Sequence, residues 1–554
     1  MKNIFKYISI ALLALLPLSS CETTDLDLRS NPNALSEDQA DPNLLLNTVQ
    51  LNYRNAMTSF NNFGAQLTRI DYMSGRIYFN NFTGASSNGI WSNTYVGIMS
   101  NTLAMERINA ESDLDYSYNV AMGKTMLAHS LLLLVDYLGE AAYSQALNPA
   151  EFPAPLLDDG PSVYAAALDL LDEATALFNS TSGLPSAATD LFYDGDASKW
   201  IKAVNTIKMK AYLTTGDLAA FNSIASGSNY ITSTEDDLQF QYGINILNPD
   251  TRHPDYQGGY TDTGVGPYRS NWIMWQMLEN DDPRIRYYFY RQADGTPGNV
   301  DVNGADVPPN EETLSCSLFI VPDHYAGLPY CSLPNGYWGR SHGNDEGGPP
   351  DGLLKTAPGV YPAAGNFDDD RFEGIFQGAG GAGAGIEPII LASYVDFWKA
   401  EAAYASGASD AVVTGHIQAG LTKSIAKTQS FGALDGAADL SFEPSAAEVT
   451  AFIDGIVADF TAGATEEDKM NVLGTQFFIT MYGGGAEAHN FYRRTGYPTN
   501  LLPNWEPDPG PYPRSFLYPS DEVITNPNLT QKTDLTTQVF WDTNPASPTF
   551  PAAN

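Results

Sequence analysis

From about Leu44 to Tyr242 the apolar positions recur at helical spacing, marking helices that bury one face. The clearest stretch is Val120 to Leu138, where Met122, Met126, Leu127, Leu131, Leu134, Val135 and Leu138 form the stripe and Gly139 is placed to end it. Ala121, Gly123 and Ala128 are small enough to admit a neighbouring helix at close range. Pro161 to Phe178 continues with Val163, Ala167, Leu170, Leu171, Ala174 and Leu177 on one side. Ser198 is the expected cap of Lys199 to Leu213, whose buried face is Trp200, Val204, Ile207 and Ala211. The pattern returns at Ile389–Ala405, Val413–Lys427, Ala446–Thr461 and Glu467–Tyr482. Between the two blocks, from about Gly243 to Glu387, turn dipeptides replace periodicity, apart from a short helix around Trp272 to Leu278.

Consecutive helices joined by short turns pack as antiparallel pairs, and stacked pairs make a solenoid like tetratricopeptide repeats. No strict repeat of about 34 residues is present. The fold class expected is mainly α: a tetratricopeptide-like helix-pair scaffold with a long loop-rich ligand-binding insertion. Loops of such extent inside a compact chain usually carry function.

The amino terminus has the form of an export signal. Lys2 and Lys6 precede an apolar run from Ile8 to Leu18 that is too short to span a bilayer, and small Ser19 and Ser20 follow. Leu18-Ser19-Ser20-Cys21 is similar to the lipobox of bacterial lipoproteins, which implies acylation of Cys21 and a lipid anchor. Glu22, Asp25 and Asp27 resemble the acidic signals that send Bacteroidetes lipoproteins to the outer leaflet. Cys316 and Cys331 remain, and in an oxidising compartment a disulfide between them is expected, worth on the order of 3 kcal/mol; two buried thiols are the alternative. The organisation is then 1–20 signal peptide, 21–40 lipidated tether, 41–242 first part of the scaffold, 243–387 loop-rich ligand-face insertion, and 388–554 second part with a C-terminal extended segment.

Charge narrows the partners. The 554 residues carry 65 Asp plus Glu against 28 Lys plus Arg, a net charge of −37, so nucleic acid and anionic lipid are poor partners. Hydrophobic residues at 43% and charged residues at 17% exclude a disordered chain. Gly339-Arg340-Ser341-His342-Gly343 has the spacing of a nucleophile elbow, but the Asn344–Pro350 run after it cannot start the helix such an elbow needs. Gly378, Gly380 and Gly383 lie in an Ala-Gly connector without a strand ahead. The six histidines have no partner at metal-ligand spacing, and Asp294, Asp301, Asn303 and Asp306 miss the ordered calcium-loop pattern. A binding protein rather than an enzyme is expected, with no catalytic residues, cofactor or metal.

Aromatics form 12% of the chain. Rings in loops beside polar side chains suit a sugar, whose C–H face lies on the ring while its hydroxyls meet the polar groups. The candidates are Tyr78, Phe79, Phe82 and Trp91 after the first helix, with Tyr325, Tyr337, Trp338, Arg340 and His342 from the middle.

Several blocks, in order, resemble the SusD/RagB group of Bacteroidetes outer-membrane lipoproteins. They are Ala128–Ala146 with its D-x-x-G-x-x-x-Y turn, Gly195-Asp196 with Lys199-Trp200 and Asn205–Lys210, Asp282-Pro283-Arg284, Lys399–Ala403, Arg493–Pro498, and the closing Tyr512–Arg514, Tyr518-Pro519, Glu522, Asn526 and Trp541-Asp542. The resemblance implies a surface-exposed, lipid-anchored protein that captures oligosaccharides and passes them to a SusC-like TonB-dependent transporter. Peptide ligands on the same architecture are the alternative, and an extracellular hydrolase is a third reading. The motif residues themselves read as structural, with Arg493 and Arg494 placed to pair with Glu487.

Overall fold

A computed structural model describes residues 40–262, 264, 266–308, 323–329, 333–345 and 355–551. The signal segment, the Cys21 acylation site and the Cys316–Cys331 pair lie outside the described residues. From Pro42 onward the chain forms one compact unit. It is mainly helical, and no helix among the described residues is long and apolar enough to cross a membrane.

The first block comprises α1 (Pro42–Leu67), α2 (Ser100–Glu111), α3 (Ser117–Leu138), α4 (Gly160–Ser180), α5 (Ala197–Thr214) and α6 (Leu218–Ala225). The helix α7 (Asn271–Glu279) stands in the middle region. The second block is α8 (Ala392–Ala405), α9 (Asp410–Gln429), α10 (Ala446–Ala462), α11 (Glu466–Thr480) and α12 (Ala486–Thr495). Neighbours in sequence pack as neighbours in space: α2 to α5 in turn, and α8 to α11 in turn. α3 is buried from Tyr118 to Leu138, as a helix enclosed by others must be, with its charged Lys124 and Asp136 paired to Glu173 and Lys210. Gly139 ends it at φ +85, a conformation that costs glycine little.

Side-chain caps open α4, α5, α6, α10 and α11. The Asp159 side chain accepts from Ser162 N at α4, and capping boxes open α10 (Ser445 with Glu448) and α11 (Thr465 with Asp468). At α5 the cap is Asp196, which accepts from Ser198 N and Lys199 N, rather than the expected Ser198. A carboxylate two residues earlier satisfies both amides, and Ser198 Oγ itself donates to it.

Two small antiparallel ribbons organise the middle. β1 (Leu238–Gln241) pairs with β4 (Ile386–Ile390), so the loop-rich stretch leaves and returns at one ribbon. β2 (Phe289–Tyr290) pairs with β3 (Ala357–Pro358) inside it. Asp282 and Arg284 form a fully buried ion pair after α7, and Arg284 also donates to Gln476 and Thr480 of α11. The Arg493–Glu487 pairing expected from sequence does not form. Arg494 instead grips Glu401 with two bonds of 2.9 Å, Arg493 donates to Asn490 and the Arg514 carbonyl, and Glu487 faces Lys210 at 3.3 Å. Helical spacing placed these side chains on α12, but three elements packed against α12 decided their partners.

Candidate functional site

Three loops converge at the end of α1. Past Leu67 the fully buried Arg69 donates to the carbonyls of Leu67 and Leu502 and to the Tyr78 hydroxyl, fixing the chain where it leaves the helix. Ser270 Oγ donates to the Arg69 carbonyl, Arg340 N to the Arg269 carbonyl, and Gly343 N to the Met73 carbonyl. These bonds lace residues 69–73, 269–271 and 340–343 into one layer. Gly343 is required there, since it lies at φ +75 and a Cβ on it would sit 2.0 Å from Asn504 Oδ1.

The layer presents two partly exposed tyrosines. Tyr72 and Tyr268 meet edge to face with centroids 5.8 Å apart. The Arg340 guanidinium lies 4.4 Å from the Tyr268 ring centre and donates to its hydroxyl, while Lys355 Nζ lies 4.2 Å from the same centre. Tyr72 donates to the Asn344 carbonyl, and Arg76 pairs with Asp345 beside it. Burial, only partly offset by Arg340, pushes the Tyr72 hydroxyl up to about 12, so it remains a donor at neutral pH. Both cations are tied to the aromatic platform, and the group offers flat rings, hydroxyls and donors within one surface.

The next residues along two of these loops, Asp71 and Arg269, line a polar cavity of about 40 Å³ with Asp255, His253, Glu387 and Tyr482. Arg269 bridges Asp255 at 3.2 Å and Asp71 at 3.7 Å. Glu387 Oε1 accepts from Asn61 and Oε2 from Tyr242, yet burial raises its carboxyl to about 7. His253 Nδ1 accepts from the Asp255 amide, and burial lowers the ring to about 4, which keeps it neutral. The volume suits one or two ordered waters.

Most of the aromatics singled out from sequence lie inside the protein. Trp338 has no exposed surface and bonds through its backbone to Thr356; Tyr325 packs on Trp505; Tyr337 carries the Arg291 guanidinium 4.9 Å from its ring centre. Phe82 stacks on Phe516, and Tyr78 shares a hydrogen bond with the equally buried His342, whose ring burial keeps neutral. These six rings offer no face to a ligand in this conformation, because each gains more by closing the loop layer onto the helices than a solvent-facing ring would. Of the candidates, Phe79 is 47% exposed, Trp91 is half-buried against Tyr95, and Arg340 joins the Tyr72–Tyr268 group. Tyr72, Tyr268, Lys355 and the cavity residues were not singled out from sequence. The available signal was the Asp-Tyr pair just past α1 and the Tyr-Arg pair just before α7.

Gly339–Gly343, the possible elbow, forms the bridge between Arg340 and Ser270 and buries Ser341 and His342. Asp301 turns its carboxylate onto the amides of Asn303 and Ala305, and no group of acidic, His or Cys side chains among the described residues could hold a metal ion.

Residues 32–313 match the family described as starch-binding and associating with the outer membrane, SusD-like, and residues 387–540 match the SusD and RagB outer-membrane lipoproteins. The chain belongs to the SusD/RagB family. This is a family of nutrient-binding outer-membrane lipoproteins, and its helical architecture is the one described above. Among solved structures, a chitin-binding protein superposes with a TM-score of 0.63 at 20% identity, covering 91% of this chain and 100% of that one. A SusD/RagB family protein from Bacteroides thetaiotaomicron gives 0.61 at 18%, covering 88% and 95%. A chitin-binding SusD homologue from Flavobacterium johnsoniae gives 0.58 at 16%, covering 91% and 99%. At such identities the likeness is one of fold. The comparison with curated proteins returned no match.

Proposed function

We propose that this SusD/RagB protein captures oligosaccharides at the cell surface, held there by a lipid on Cys21, and delivers them to a partner TonB-dependent transporter. The observation that carries the reading is the partly exposed Tyr72–Tyr268 pair, with Arg340 and Lys355 against the Tyr268 ring. Stacking on the rings would orient a pyranose, and the tyrosine hydroxyls and cationic donors would meet its hydroxyls. Phe79 and Trp91 extend the set of solvent-reaching rings available to a longer chain. The role is capture without cleavage. Two solved relatives are named as chitin-binding, so chitin oligosaccharides head the panel of ligands to try.

Calorimetry of the purified protein against neutral and N-acetylated oligosaccharides, with product analysis of the same mixtures, tests this. Saturable binding without cleavage is expected, and Tyr268→Ala should weaken it by about 1–3 kcal/mol. Failure of every sugar to bind, or appearance of shortened products, would remove the reading.

A further inference from the structure

The polar cavity of about 40 Å³ is walled by immediate sequence neighbours of the two exposed tyrosines: Asp71 precedes Tyr72 and Arg269 follows Tyr268. Its rim reaches solvent, since Asn62 of α1 is exposed and the Asp71 and Asp255 side chains keep 31% and 38% of their surface. Its floor does not, because His253, Arg269, Glu387 and Tyr482 are all buried.

Two nitrogens of these floor residues, Arg269 Nε and His253 Nε2, have no hydrogen-bond partner among the described residues. Both are donors. A guanidinium nitrogen only donates, and His253 Nδ1 accepts from the Asp255 amide at 3.1 Å, so the neutral ring carries its proton on Nε2. Buried N–H groups in native proteins meet an acceptor, so two of them around one small cavity mark a place for an acceptor atom. An anion is unsuited to that place, because the carboxylates of Asp71 and Asp255 would repel it. An ammonium group is unsuited too, since it has no lone pair to offer either nitrogen. Asp71 stands 3.7 Å from Arg269 Nη1, beyond hydrogen-bond length, which leaves its carboxylate able to accept from a further donor.

We infer that this cavity is a subsite for the exocyclic hydroxymethyl group of a hexose unit. A hydroxyl accepts from Arg269 Nε and His253 Nε2 and donates to Asp71 or Asp255, which is the combination these walls call for. Water has the same capacity and suits the same volume, so a sugar hydroxyl replaces it while keeping the hydrogen bonds. On a pyranose the hydroxymethyl oxygen stands on its own carbon arm, so it enters a narrow opening while the ring rests on a flat platform. The inference rests on sugar capture at Tyr72 and Tyr268 and deepens it: the rings accept any pyranose, and the cavity selects hexoses over pentoses and 6-deoxy sugars.

Two matched pairs of tetramers, titrated calorimetrically into the purified protein, test this: cellotetraose with xylotetraose, and chitotetraose with its 6-deoxy counterpart. The second member of each pair lacks the hydroxymethyl oxygen. In a pair that saturates, the first member should bind at least about tenfold more tightly, because a site with buried donors rejects an analogue that leaves them unpaired. Asp71→Leu puts hydrocarbon at the partly exposed rim and should bring the two affinities of that pair to within about twofold. Equal affinities in the natural protein, or a preference that Asp71→Leu does not reduce, would overturn the inference and leave capture standing, with the cavity a water site only. Saturation by none of the four tetramers would remove the capture reading and this subsite with it.

Discussion

Trp338 and Tyr268 both come from the loop-rich region, yet the first has no exposed surface and the second keeps part of its ring in solvent. Composition makes both equal candidates for a sugar platform. Their difference arises from register: the Trp338 backbone is paired with Thr356, which turns its ring inward, whereas Tyr268 sits one residue before the buried Arg269. Glu387 shows the same dependence on surroundings. Burial raises its carboxyl from the usual range to about 7, so the folded state holds a proton that the unfolded state has released. The stabilisation is present below about 4.5 and is lost as pH rises through about 7. Glu387→Gln removes this titration, so the stability of the natural protein relative to the variant should fall by on the order of 3 kcal/mol across that window. Urea unfolding of both proteins at the two pH limits checks it, and parallel curves would contradict the assignment. Comparison with the variant also cancels the buried neutral His253, which acts with the opposite sign.

Among the elements, α3 is the most legible from sequence, because an apolar run closed by glycine has only one economical conformation. What the pattern does not reveal is which helices touch. α1 and α12 come from opposite ends of the chain and meet where Gly64 faces Gly485; a Cβ on Gly64 would lie 2.0 Å from the Gly485 carbonyl oxygen. Gly64 has helical surroundings where alanine would ordinarily be preferred. Gly64→Ala should therefore destabilise by about 1–3 kcal/mol, measured as a shifted denaturant midpoint, instead of the gain an exposed helical site would show.

At the scale of the whole molecule, Asp136 joins the two halves. Buried at the end of α3, it accepts from Lys210 of α5, Tyr164 of α4, Asn490 of α12 and Trp541 of the C-terminal segment. Burial opposes its ionisation, but Lys210, the Tyr164 hydroxyl and Arg493 hold its carboxyl below the usual value. Asp136→Asn leaves Lys210 with a weaker acidic environment and should cost about 3–5 kcal/mol, seen in unfolding and in loosened protection of the C-terminal segment to hydrogen exchange. Sequence by itself determined most of the long helices, the start of α5 to within two residues, the turn-rich middle and the family, because periodicity, turn residues and ordered motifs are local or collinear properties. Tertiary structure alone decided which rings are covered, that Arg494 pairs with Glu401, and that Tyr72 and Tyr268 meet beside Arg340. Those outcomes depend on distances between segments remote in the chain, and a residue's type carries no record of what packs over it.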